Sequence, residues 1–544
     1  HSITNERYLK VKQEVDFDAI IIGAGFSGLY QLYKLRDELG ISAHIFEAAE
    51  DVGGTWYWNR YPGARCDSES HTYCYYFSDE LLQKWEWSER YPGQVEILKY
   101  LNFATDHLKL RSDISFNNKI TNMDFLEDEN IWLVRSDSGK TYKTRYVINA
   151  VGCLSSANKP NIPGIVNFNG DIYHTGEWPH EEVVFKNKKV GVIGTGSSGI
   201  QAIPVIAESA EKVTVFQRTP NYSIPARNQK LTDEFVKNFK TKTSEWLEKM
   251  LLSRGGHAWP PPSEHCFDTP EKERLEILNA AWVAGGLGFR ECFDDILTNI
   301  KSNDVMSDFI KDKIRSTVKD PLKADILSNI DHPFSTKRPP IDTNYFETFN
   351  KKSVELIDIR ADPIKDIYDN GIRTKSASFP LDIIVFATGF DAMTGSLLKI
   401  DIKGRSKLNL RDIWSGGPQT YLGLQVAGFP NMFMLTGPGS PSVLTNMPRA
   451  IEQHVEWVAE CITHLEKNNL KTIEASSHAM EGWVEHVNQT ANKTLLPKTK
   501  HSWYLGANIP GKPQVFMPYT GGLNNYRDIC NSIAEEGYTG FILS

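Results

Sequence analysis

Two stretches of the chain share one layout: a short apolar run, a glycine-rich loop and an apolar helix. Phe17 to Ile22 leads into Gly23-Ala24-Gly25-Phe26-Ser27-Gly28, and Val190 to Ile193 leads into Gly194-Thr195-Gly196-Ser197-Ser198-Gly199. A short apolar run of this kind reads as a buried parallel strand. In each loop the first glycine makes the tight turn and the second lets backbone approach a pyrophosphate. The third lets helix and strand pack closely. The pyrophosphate then rests on the helix N-terminus. Two such units demand an α/β chain with two dinucleotide-binding, Rossmann-like domains. At 544 residues there is room for both and for an insertion.

The units differ at one matched position. The next strand of the first, Ala43 to Phe46, ends at Glu47, 24 residues after Gly23. In the second, Val213 to Phe216 is followed by Arg218, 24 residues after Gly194. A carboxylate there accepts hydrogen bonds from free ribose hydroxyls and repels a 2′-phosphate; a guanidinium pairs with that phosphate. The swap assigns FAD to the first unit and NADPH to the second. The alternative at Arg218 is an ordinary surface arginine at a strand end. On the swap, a nicotinamide reduces the flavin, which then acts on a second substrate.

Composition narrows the rest. A net charge of −8 gives no footprint for nucleic acid or an anionic membrane. No run approaches the roughly 18 apolar residues of a membrane span. Cysteines stand at 66, 74, 153, 266, 292, 461 and 530, without a CxxC. They read as reduced thiols of a cytoplasmic protein and argue against a dithiol reductase. The chain opens on His1-Ser2 without Met, as an expression remnant does. A monomer without a metal site is expected.

Between and beyond the loops lie further candidates. Gly53 to Asp67 carries Trp56, Tyr57 and Trp58 in a row, which suits a wall beside a flat ring system. Asp67 falls on a Gly- and Pro-rich loop, where a helix cap is the plainer reading. Asn167 to Pro179 joins the two halves, and its His174 reads as a general base or, more plainly, as a holder of loop geometry. Residues 225 to 330 read as helices, over Thr232 to Leu252 and Leu275 to Ala284, without chemistry. His332 to Pro340 carries Lys337 and Arg338, read either as a solvated pair or as one cation for the 2′-phosphate and one for the reaction centre. Leu381 to Phe386 then returns the chain to the first sheet, so the flavin domain is discontinuous. Leu435 to Met447 is a small-residue loop feeding a helix over Ile451 to Leu465, a good place for a flavin edge and a substrate. Trp503, in the tail from 497 to 518, can close over a cofactor as a mobile loop or pack in the core.

The expected division is 1–152 for the first part of the FAD domain and 153–224 for the first part of the NADP domain, with the connector at 167–179. A helical insertion follows at 225–331. The NADP domain resumes over 332–384 and the FAD domain over 385–544.

The connector, through Phe168, Gly170, His174, Thr175, Trp178 and Pro179, resembles the Baeyer–Villiger monooxygenase fingerprint. The segment with Trp56, Tyr61, Pro62, Gly63 and Asp67 is similar to that family's second fingerprint. Gly437 to Met447 resembles its phenylacetone and steroid monooxygenase branch. The resemblance runs along nearly the whole chain. It implies insertion of oxygen from O2 beside a ketone carbonyl through a C4a-peroxyflavin, and oxidation of sulfides as well. It implies that Arg338 stabilises the peroxyflavin anion, that Asp67 positions Arg338, and that both are catalytic. Gly23, Gly25, Ser27, Gly28, Glu47, Thr55, Trp56, Asp67, Tyr73, Ile120 and Met447 are implied for FAD. Gly194, Thr195, Gly196, Ser197, Ser198, Gly199, Arg218, Thr219, Lys337, Arg338 and Trp503 are implied for NADP. Ser442, Val443 and Leu444 are implied for the substrate pocket, and His174 for coupling the domains. An N- or S-oxidising flavin monooxygenase is the alternative.

Overall fold

The computed structural model describes residues 14–152, 160–262, 264–389, 394–498 and 518–544. Each glycine loop starts from the middle of its own sheet. The first sheet has eight strands. In order these are Asp401–Lys403, Ile120–Leu126, Ile131–Ser136, Thr141–Asn149, Phe17–Ile22, Ala43–Phe46 and Ile114–Ser115, with Met432–Met434 paired to Thr141–Asn149. Phe17–Ile22 runs parallel to both neighbours, with Ile20 opposite His44 on one side and Val147 on the other. Its inward residues Ile20 and Ile21 are fully buried, as a strand covered on both faces requires. Asp401–Lys403 and Met432–Met434 come from far down the chain, so this sheet is discontinuous in sequence.

The second sheet has five parallel strands, in the order Val354–Asp358, Lys212–Gln217, Lys189–Ile193, Ile383–Phe386 and Asp171–His174. The connector is therefore not a bare link: its middle forms the edge strand of this sheet. Its fingerprint residues have packing reasons. A Cβ on Gly170 would meet the Asp382 carbonyl oxygen at 2.2 Å and the Phe168 ring at 2.7 Å. Trp178 is buried against Tyr173 and Phe185. Ile383–Phe386 pairs within the second sheet, and only beyond it does the chain pass back to the first. The boundary expected between 384 and 385 falls inside that strand.

The helical region divides further than its periodicity predicts. Thr232 caps a helix over Asp233–Thr241 through Phe235 N–H, and Lys242, at φ −124°, separates it from Thr243–Leu252. Glu271–Ala284 ends at Gly285, whose φ of 72° suits glycine. Two longer runs, Ile300–Thr317 and Pro321–Ser328, complete the region. Among the described residues, no helix is long and apolar enough to cross a membrane. The six described cysteines are all free, and burial pushes the Cys74 thiol up to about 12.

Candidate active site

In the first unit the glycines are sterically required. A Cβ on Gly28 would lie 1.8 Å from the Gly23 carbonyl oxygen, and one on Gly23 2.4 Å from that of Ala150. Gly25 faces Gly54, where a Cβ would come within 3.1 Å of the Gly25 Cα, so the two glycine-rich stretches touch backbone to backbone. The helix that follows, Phe26–Tyr33, opens with Ser27 in its first turn and has no side-chain cap. Its leading N–H groups thus face the loop, which suits a pyrophosphate. Beside the turn, the buried amide of Asn149, opposite Ile22, has neither polar atom bonded, as a site built for a polar ligand would leave it.

Glu47 is 7% exposed. Its carboxylate accepts Ala24 N–H at 2.9 Å and Ala49 N–H at 2.8 Å. Burial raises its pKa, and the backbone N–H groups oppose that. A carboxylate has about four lone-pair positions, so these two bonds leave acceptor capacity for ribose hydroxyls. Ile120 is buried at the start of its strand. Thr55 and Trp56 lie on the short helix Thr55–Trp58, and Trp56 Nε1 donates to the Tyr73 hydroxyl at 3.0 Å with the rings edge to face. Gln94, not singled out by sequence, holds the Trp56 carbonyl through Nε2 at 2.5 Å.

The second loop is built the same way but left open. A Cβ on Gly194 would clash with the Ala387 carbonyl oxygen at 2.3 Å, and one on Gly199 with that of Gly194 at 2.6 Å. Gly196 has nothing within 4 Å of a built Cβ, and Gly196 and Ser197 are exposed. The helix Ser197–Ser209 again lacks a side-chain cap. The Thr195 hydroxyl donates to the Thr219 carbonyl at 3.2 Å, and that of Ser198 meets Thr175 of the connector at 3.0 Å. Arg218 is exposed at the strand end, one residue past Gln217, as Glu47 follows Phe46. Lys337 is half-buried. Burial lowers its pKa, Asp331 opposes that, and Arg360 and Arg218 lower it further.

An ion pair joins the two units. Arg338 donates from Nε to Asp67 Oδ2 at 2.8 Å and from Nη2 to Asp67 Oδ1 at 2.9 Å. Its Nη1 donates to the Val443 carbonyl at 2.7 Å. Asp67 is thus a partner of Arg338 and caps no helix. Both side chains are about three-quarters removed from solvent, at 21% and 24% exposure. Fixing three of five N–H groups in a fork holds the guanidinium plane in one orientation. Val443 sits in the short turn Ser442–Leu444, and Met447 begins the helix Met447–Lys467. The buried Ser442 hydroxyl has no bonded partner.

His174 is buried and doubly held. Its Nδ1 accepts Gly176 N–H at 2.9 Å and its Nε2 lies 3.2 Å from the Thr388 hydroxyl, on the segment returning to the first sheet. Trp503 lies outside the described residues.

Sequence reading found no chemistry in the helical region, yet one of its loops reaches this centre. Gly255 and Gly256 carbonyls accept from Asn446 N–H at 2.7 Å and Nδ2 at 3.2 Å. The next residue, His257, stacks on Trp259 at 4.0 Å, and Trp259 is pinned to Glu69. Burial, then Arg290 and Arg338, hold His257 neutral. A single His among prolines gives no periodic signal. Among the described residues one group could ligate a metal, His265 with Asp294 and Asp295. Asp295 is already taken by Cys266 N–H and the Ser302 hydroxyl, and His265 by Asp294.

Two glycine-loop sheets, with a guanidinium–carboxylate pair between them, define a flavoprotein oxidoreductase with two dinucleotide-binding units. The pyridine nucleotide-disulphide oxidoreductase family matches residues 20–250. A Baeyer–Villiger monooxygenase of Pseudooceanicola batsensis is 43% identical over 531 residues, 97% of this chain and 96% of that protein. The structure of an oxidised steroid monooxygenase bound to NADP superposes with a TM-score of 0.93 at 46% identity, covering 97% of this chain and 99% of the other. A phenazine N-monooxygenase of Lysobacter antibioticus is 40% identical over 97% of each chain. The chain belongs to the Baeyer–Villiger monooxygenase family.

Proposed function

We propose that the chain converts ketones to esters or lactones by inserting one oxygen atom of O2 beside the carbonyl, with NADPH as reductant and FAD as cofactor. The observation that carries this reading is the Arg338–Asp67 fork, which brings a residue of the second unit's return segment onto a residue of the first unit. FAD, when bound, relays two electrons from NADPH to O2 and delivers the inserted oxygen. Gly23, Gly25, Gly28 and Glu47 would hold its dinucleotide, and Trp56, Tyr73 and Met447 would line its ring.

The chain's own residues supply charge and exclusion. A guanidinium stays protonated at any working pH, so Arg338 stabilises negative charge developing on the ketone oxygen without surrendering a proton. Preorganised charge at a dry site commonly contributes a few kcal/mol to a transition state. Asp67 supplies orientation and offsets the cost of burying that charge. Ser442, Val443 and Leu444 line the substrate side. His174, bound to both the connector and the returning segment, keeps the units in step and transfers no proton. Sulfide oxidation, action as a cytosolic monomer and the five-part division of the chain also belong to this reading, with the second unit extended through Phe386.

Product analysis tests it. With NADPH and air, linear, aromatic and cyclic ketones should give esters or lactones, one per NADPH consumed. NADPH consumption with no ester from any ketone would refute it. The similarity to a phenazine N-monooxygenase favours one second reading, oxidation of aromatic nitrogen. An N-oxide from phenazine with no ester from any ketone would select it.

A further inference from the structure

The edge of the second sheet carries one more cation than sequence reading assigned. Val354–Asp358 pairs in register with Lys212–Gln217, with Asp358 opposite Gln217. The ladder continues one step, since Ile359 N–H donates to the Gln217 carbonyl at 2.9 Å. The strands are parallel, so both chains leave the sheet at the same end, where the helix Ser197–Ser209 begins. One strand exits into Arg218 and the other into Arg360. Burial disfavours the Lys337 ammonium most; Asp331 opposes that, and Arg360 and then Arg218 add to it.

Two acids stand beside this group. Asp331 reaches Arg360 through one contact, Nη1 to Oδ2 at 3.4 Å, with side chains 36% and 67% exposed. An exposed single contact of that kind contributes little and leaves the guanidinium able to swing. Asp358 is occupied with the Arg360 backbone N–H at 3.0 Å. Lys311 adds further positive charge beside His332. Like charges leaving one end of a sheet from adjacent strands favour a multiply charged anion there.

We propose that Arg360 is a third cation of the site for the nucleotide's 2′-phosphate, and so a specificity residue for NADPH over NADH. This rests on the assignment of Arg218 and Lys337 to that phosphate. A phosphate monoester carries close to two negative charges and accepts from several N–H donors at once, which suits a set of Arg, Lys and Arg.

The test is calorimetric titration of the flavin-loaded enzyme with 2′,5′-ADP and, separately, 5′-ADP. Arg360→Ala should weaken 2′,5′-ADP about fivefold and leave 5′-ADP unchanged. Arg360→Lys should recover most of the loss, and the salt dependence of 2′,5′-ADP binding should be shallower in Arg360→Ala than in the wild type. Unchanged 2′,5′-ADP binding, or equal weakening of both ligands, would overturn the proposal. Failure of the underlying assignment reads differently: the wild type would show no preference for 2′,5′-ADP, or Arg218→Ala would keep the preference. Either result would remove the proposal with it.

Discussion

The two glycine loops have one layout and opposite surroundings. In the first, Gly25 packs against Gly54, and Glu47 is buried and held by two backbone N–H groups. In the second, Gly196 faces open space and Arg218 lies on the surface. A ligand in the first site would meet close-packed backbone and a carboxylate that the chain itself buries. A ligand in the second meets exposed cations and a loop open to solvent. On the proposed function the same local motif serves a resident cofactor in one place and an exchanging one in the other, and what packs around each loop differs accordingly.

The largest effect on this contrast should come from Glu47→Gln. It places an amide NH2 against a backbone N–H and removes a charge-assisted acceptor, at a cost of about 2 kcal/mol, or roughly 30-fold in flavin affinity. Purified variant should carry little flavin by visible absorbance, while 2′,5′-ADP binding persists. Full flavin content would break the contrast. Arg218→Ala should raise the KM for NADPH roughly tenfold and leave that for NADH nearly unchanged. An equal rise for both would show that Arg218 does not read the 2′-phosphate.

A smaller effect concerns pH. The Lys337 pKa is lowered from its ordinary value, chiefly by burial. Its cation is therefore lost as pH rises through a point below the usual lysine range, and is fully present below it. The KM for NADPH should climb on the alkaline side while that for NADH stays flat, and Lys337→Arg should remove the climb. Smallest is Gly196→Ala. A methyl there meets nothing within 4 Å, and the residue's φ of −74° suits alanine. Flavin content and folding should be normal, with the KM for NADPH raised about twofold by crowding of the exposed loop. Loss of flavin would show that the loops are not independent.

Much of this was legible in the chain. Strand, loop and helix spacing announced both sheets, and the Glu47 and Arg218 offsets fell one residue past matched strand ends. The discontinuity of the first unit was expected from Leu381 to Phe386, but that strand lies in the second sheet, and the late strands that complete the first, Asp401–Lys403 and Met432–Met434, were not read from the sequence. What the sequence hid was contact across distance. Asp67 and Arg338 are 271 residues apart, and only resemblance paired them. The connector's strand was masked because an exposed edge strand, with Ile172 on the surface, lacks a continuous apolar run. Arg360 and His257 carry no local pattern at all. Each becomes informative only when a ladder or a hydrogen bond from Asn446 brings it beside residues far along the chain.

The central claim is that Arg338, oriented by Asp67, serves oxygen insertion and not flavin reduction. Stopped-flow measurement of both half-reactions in Arg338→Ala tests it directly. Flavin reduction by NADPH under anaerobic conditions should stay within about threefold of wild type, and ester formation in air should fall by 100-fold or more, on the order expected for removal of a preorganised charge. Ester formed at the wild-type rate would contradict the account.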